Sequence, residues 1–168
     1  RLYRPFVPAG GLCFDVGAHV GNRTRCWRRL GARVVAIEPQ RDCLAVLRRL
    51  YGRDPGVTIV AAAGGAEPGV ATLSRAWIDA VRRDPGFAGV DWQPGAAVAV
   101  TTLAQLAAAH GEPDFVKLDV EGCEADALAG LDRPPPALSF EYVTAVPEAV
   151  DACLARLARL GDYRYAWS

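Results

Sequence analysis

The chain has 168 residues, 51% of them hydrophobic, and its 19 basic and 19 acidic side chains cancel to a formal net charge of zero. That size and apolar content point to one globular domain and exclude a disordered chain. The zero balance leaves no electrostatic footprint for nucleic acid or an acidic membrane, and no apolar stretch approaches the roughly 18–20 residues that span a bilayer.

Taken in order, Leu12–Val16 is a short apolar run ended by Gly17, a buried strand. Residues 22–30 predict a helix stopped by Gly31, with Arg23, Arg25, Arg28 and Arg29 as a solvated face. Arg33–Ile37 is a second strand, closed by Glu38-Pro39. Arg41–Tyr51 repeats apolar residues at Leu44, Leu47 and Leu50, an amphipathic helix before Gly52. Val57–Val60 and residues 70–73 are strands. Residues 74–95 carry Trp77, Phe87 and Trp92 and exceed the about 4–6 residues of an ordinary connection. Two readings stand for this insertion: a lid whose aromatics contact a substrate, or an excursion whose aromatics tuck into the core. Residues 98–101 are a strand, and Leu103–His110 a helix with Thr102 as N-cap and Gly111 beyond its end. Residues 115–120 form a strand, 124–131 a helix, 138–143 a strand, Pro147–Leu160 a helix and 163–167 a last strand. Such alternation builds βαβ units. It predicts an α/β fold with a doubly wound, mostly parallel, Rossmann-like sheet and one domain over residues 1–168.

Five cysteines, an odd number with no C-x-x-C spacing, argue against a disulfide framework and a structural zinc. They fit idle thiols in a reducing, cytoplasmic setting. The chain opens on Arg1 and shows no secretory signal, as a trimmed segment would.

Two stretches carry chemistry. Asp15-Val16-Gly17-Ala18-His19-Val20-Gly21 falls where the first strand turns into the first helix, the ligand-binding edge of a doubly wound sheet. Gly17 permits a tight turn and close ligand approach, and Gly21 opens the helix. The pattern is not the dinucleotide G-x-G-x-x-G. An acid at this strand end repels a pyrophosphate and attracts an ammonium. Glu38 follows about 20 residues on, the spacing of an acid that grips ribose hydroxyls. Asp15 and Glu38 together favour S-adenosylmethionine over NAD. His19 either touches the ligand or fills the turn.

The second stretch, Phe115-Val116-Lys117-Leu118-Asp119-Val120-Glu121-Gly122, sets charges at alternate positions of a buried-looking strand. Alternation places Lys117, Asp119 and Glu121 on one side. In a sheet covered on both faces such charges are costly unless paired or facing a cleft. Lys117 is the only lysine of the chain, against 18 arginines, so a compact ammonium has a use there that a guanidinium fork does not. The bland reading is a salt-bridged structural cluster.

These elements, with Val100-Thr101-Thr102-Leu103 and Leu138-Ser139-Phe140-Glu141, resemble the FkbM-type methyltransferases over nearly the whole chain. The K-x-D-x-E-G element followed by Glu124 is the most specific part. The resemblance implies a class I, S-adenosylmethionine-dependent fold and methyl transfer to a hydroxyl of a small molecule, a sugar or secondary metabolite. It implies methionine and backbone-approach positions at Asp15, Gly17 and Gly21, a ribose position at Glu38, and an active-site edge at Asp119 and Glu121. Ala18, His19 and Pro39 complete the candidate cofactor contacts, with Asp119 facing the cofactor side. His19 stands where members usually carry Asn. A last hairpin of the usual sheet would be left incomplete by a chain stopping near Ser168.

Candidate bases are Asp119, Glu121 and Glu141, with Glu121 favoured and Lys117 orienting the carboxylates or stabilising a developing alkoxide. Acceptor contacts fall to Trp77, Phe87 and Trp92. No metal is assigned. The rival functions are a non-catalytic cofactor-binding subunit and an NAD-dependent oxidoreductase.

Overall fold

The computed structural model describes residues 2–72, 97–141 and 147–166. Its elements run β1 (Leu12–Val16), α1 (Asn22–Arg29), β2 (Arg33–Ile37), α2 (Arg41–Tyr51), β3 (Val57–Val60), β4 (Ala63–Gly64), β5 (Gly69–Thr72) and β6 (Ala97–Thr101), then α3 (Leu103–His110), β7 (Phe115–Leu118), α4 (Glu124–Ala129), β8 (Ala137–Phe140) and α5 (Pro147–Leu160).

The main sheet has the order β3-β2-β1-β7-β8, every pair parallel. This is a Rossmann-like sheet with flanking helices. β1 lies at its centre and is buried at all five positions, apolar but for Asp15. One core layer joins Phe14, Val16, Val116 and Leu118 to Leu103, Leu106, Leu128 and Leu157. The opposite layer seats Trp27 against Cys13, Val34 and Phe115, with Tyr3 stacked edge-on to Trp27. A second, smaller sheet of order β4-β6-β5 stands beside the carboxyl ends of the main strands.

Several boundaries differ from the sequence expectation. The strand expected over 115–120 stops at Leu118: the Asp119 N–H still reaches the Val16 carbonyl of β1, but the Val120 N–H turns to the Glu124 side chain. The helix expected to reach residue 131 ends at Ala129, where Gly130 closes it. The strand expected over 138–143 runs from Ala137 to Phe140. Residues 163–166 form no strand; Tyr163 is anchored instead by its hydroxyl, which donates to the Pro135 carbonyl at 2.9 Å. Arg28 is no solvated side chain. It pairs with Asp54 at 2.8 Å and donates to the Ala32 carbonyl, tying α1 to the turns before β2 and β3.

Candidate active site

The strand order reverses at β1, with β2 on one side and β7 on the other, so a crevice opens at their carboxyl ends. The turn after β1 is built to lie flat in that crevice. Gly17 and Ala18 donate their N–H groups to the Ile37 carbonyl, each at 3.0 Å. Gly17 has φ 75°, and a Cβ there would run into the Asp119 carbonyl. Glycine is therefore required by conformation and by close packing alike.

A cavity of about 390 Å³ fills the crevice. Its polar wall carries Gly17, His19, Glu38, Pro39, Gln40, Asp119, Glu121, Cys123 and Asp126. Its apolar wall carries Ala62, Ala63, Gly64 and Val120, with Ala71, Val98 and Val100 from the small sheet.

Beneath the wall sits Lys117. Its ammonium donates to the Gly17 carbonyl at 3.0 Å, pairs with Asp119 Oδ2 at 3.0 Å and faces Asp15 Oδ1 at 3.5 Å. The last distance is an ion-pair contact, too long for a strong hydrogen bond. The three oxygens lie on β1, on its turn and past the end of β7; the ammonium closes on two of them, and Asp15 Oδ1 is buried without a hydrogen-bond partner, held by the charge alone. Asp15 is fully buried, and its Oδ2 accepts from Thr24 N at 2.9 Å and Thr24 Oγ1 at 2.6 Å, fixing the first turn of α1. Burial pushes the Asp15 carboxyl above its ordinary range, against the pull of Lys117 and Thr24.

Glu38 is 2% exposed but lies on the cavity wall. Its Oε2 accepts from His19 N and its Oε1 from Gln40 N, both at 2.8 Å. Burial raises its pKa, with those two hydrogen bonds and Lys117 opposing.

Two non-glycine residues with positive φ flank the cavity: His19 at 50° and Glu121 at 56°. Such conformations cost about 1–3 kcal/mol each and concentrate at functional sites. The Asp119, Glu121 and Glu141 carboxylates each bring an oxygen within 4.8 Å of the others. That spacing accepts a hard divalent cation, and exposed acids also reach it unaided.

Of the sequence-predicted residues, Gly17, His19, Glu38, Pro39, Asp119 and Glu121 line the cavity, and Glu141 adjoins it through the carboxylate cluster. Asp15, Ala18, Gly21 and Lys117 are not on its wall: Asp15 and Ala18 are buried, and the Gly21 carbonyl accepts from the Tyr51 hydroxyl. Trp77, Phe87 and Trp92, with the insertion 74–95, lie outside the described residues. Sequence reasoning missed Asp126, Cys123 and the small-sheet wall. Asp126 was within reach, because it lies in the first turn of the helix directly after the charged turn. The two-residue β4 had no periodic signal.

The family model described as the methyltransferase FkbM domain matches residues 15–142, from Asp15 to the residue after Glu141. The chain belongs to this family. No curated protein matches it. Among solved structures, an FkbM methyltransferase from Methylobacillus flagellatus KT superposes with a TM-score of 0.50 and 21% identity, over 72% of this chain and 28% of that one. At that identity the likeness concerns the fold of the FkbM domain. A precorrin-6y C5,15-methyltransferase from Geobacter metallireducens GS-15 gives a TM-score of 0.49 at 14% identity, over 92% of this chain and 68% of that one. The chain thus spans little more than a quarter of the Methylobacillus protein. Among the described residues no helix is long and apolar enough to cross a membrane.

Proposed function

We propose that the chain is an S-adenosylmethionine-dependent methyltransferase acting on a hydroxyl group of a small molecule. One observation carries the reading: in a chain of this family, Glu38, Asp119 and Glu121 share one cavity wall with the Gly17 turn.

The residues present suit the cofactor. A cavity of about 390 Å³ falls in the range of small-molecule sites. Each Glu38 oxygen spends one hydrogen bond on the backbone, and a carboxylate has roughly four acceptor positions, so about two remain for ribose hydroxyls. Gly17 admits close approach of a ligand to the backbone. Asp119, with its other side on Lys117, offers a carboxylate to an ammonium. When bound, the cofactor supplies an electrophilic sulfonium methyl.

The chain's own groups then orient and deprotonate the acceptor. Glu121 takes the hydroxyl proton as the acceptor oxygen gains its methyl group, and Glu141 stands beside it as a neighbouring carboxylate. The crevice holds the acceptor oxygen in line, a contribution of several kcal/mol by positioning alone, about 7–11 at most.

The test is a screen of hydroxyl-bearing acceptors with a labelled methyl donor, run on wild type and Glu121→Gln. The variant should bind cofactor normally and transfer poorly. A wild-type rate in Glu121→Gln removes Glu121 as the base, and label found only on nitrogen or carbon removes the hydroxyl assignment.

A further inference from the structure

The turn that carries Glu121 is held by a side chain so far given no role. Glu124 opens α4 and is 5% exposed. Its Oε1 accepts from Val120 N at 3.0 Å and from Gly122 N at 3.2 Å. Those two amides flank Glu121, whose φ of 56° an ordinary residue avoids, and Gly122 follows at 92°. One oxygen therefore pins both sides of a left-handed residue, and does so on the cavity wall.

We propose that Glu124 is a positioning residue: it holds the 120–122 turn in the conformation that points Glu121 into the cavity. This rests on the reading of Glu121 as the base. The physical need is plain. Residues 120–122 have left the β7 ladder, and a left-handed residue persists only where its surroundings impose it. Val120 is half-buried and Gly122 exposed, so without Glu124 their amides would turn to water and let the turn relax. A misplacement of 1 Å costs about 100-fold in rate.

A rival explanation is electrostatic: an acid in the first turn of a helix favours the helix, whatever it bonds. Two substitutions separate the two. Glu124→Gln keeps an acceptor oxygen at full reach and loses the charge. Glu124→Asp keeps the charge and falls one methylene short of bridging both amides.

The experiment measures kcat for methyl transfer, cofactor Kd and melting temperature for both variants, alone and in the Glu121→Gln background. The expected result is a near-wild-type kcat for Glu124→Gln and a kcat lowered about tenfold or more for Glu124→Asp, with cofactor Kd little changed. In the Glu121→Gln background, Glu124→Asp should add little further loss, because both changes remove one function. Leu157→Ala, a core change on α5, serves as a control that lowers the melting temperature without this loss of kcat. The proposal is overturned if Asp retains the rate while Gln loses it, if both retain it, or if the Glu124 and Glu121 losses simply add. A wild-type rate in Glu121→Gln alone sinks the base assignment, and any loss in Glu124→Asp then acts elsewhere, which also overturns the proposal.

Discussion

An ammonium is a compact charge with donors in three directions, and Lys117 turns it to the Gly17 carbonyl and Asp119 while facing Asp15 as an ion pair. The planar fork of arginine cannot address three acceptors so arranged. That is the structural sense of a lone lysine in an arginine-rich chain. Lys117→Met leaves Asp15 facing no cation, and a broken buried pair costs about 3–5 kcal/mol. The loss should shrink in acid, where Asp15 takes a proton. Thermal melts check this, with Lys117→Arg expected to fall as well; an unchanged melting temperature would mean the ammonium is solvated. Glu38 supplies a prediction with a defined sign. Its folded pKa is raised above its ordinary 4.5 by burial, so the folded chain holds a proton that the unfolded chain has released. Its stabilising term is complete below that ordinary value and lost as pH rises through the folded one. Glu38→Gln should therefore gain in melting temperature relative to wild type as pH rises from about 4 to 7. A difference that does not vary with pH would contradict the raised pKa.

Elements were legible where an apolar run met a glycine or a cap. β1, β2, α2 and β3 were bounded correctly because Gly17, Glu38-Pro39, Gly52 and Pro55-Gly56 punctuate them. α3 was announced by Thr102, and the structure shows a full capping box: Thr102 Oγ1 accepts from Gln105 N at 3.1 Å, and Gln105 Oε1 accepts from Thr102 N at 3.3 Å. Thr102→Ala should cost about 1 kcal/mol, seen as a melting temperature lower by about 2–4 °C for a chain of this length. No change would mean that packing of Leu103 and Leu106 alone holds the helix. The elements missed had tertiary causes. β4 is two residues paired, among the described residues, with β6 alone. The charged strand ended early because Glu124, four residues ahead, captures the Val120 amide. Residues 163–166 look like a strand by composition, but their anchor is the Pro135 carbonyl rather than a ladder.

At the scale of the molecule, strand–helix alternation dictates a parallel sheet, and the reversal of strand order dictates where a ligand sits. The site was legible to that extent: Gly17, Glu38, Asp119 and Glu121 were picked from their places at strand ends and all line one cavity. Depth was not legible. Spacing does not say that Asp15 and Lys117 lie under the turn, or that Val98 and Val100 arrive from a second sheet to close the far wall. The central claim is that this crevice binds S-adenosylmethionine, with Glu38 as a principal contact. Calorimetric titration with S-adenosylmethionine, its demethylated product and NAD, on wild type and Glu38→Ala, tests it most directly. The account predicts binding of an S-adenosyl ligand by wild type and its loss in Glu38→Ala. Tight binding of NAD with no S-adenosyl ligand bound would contradict it.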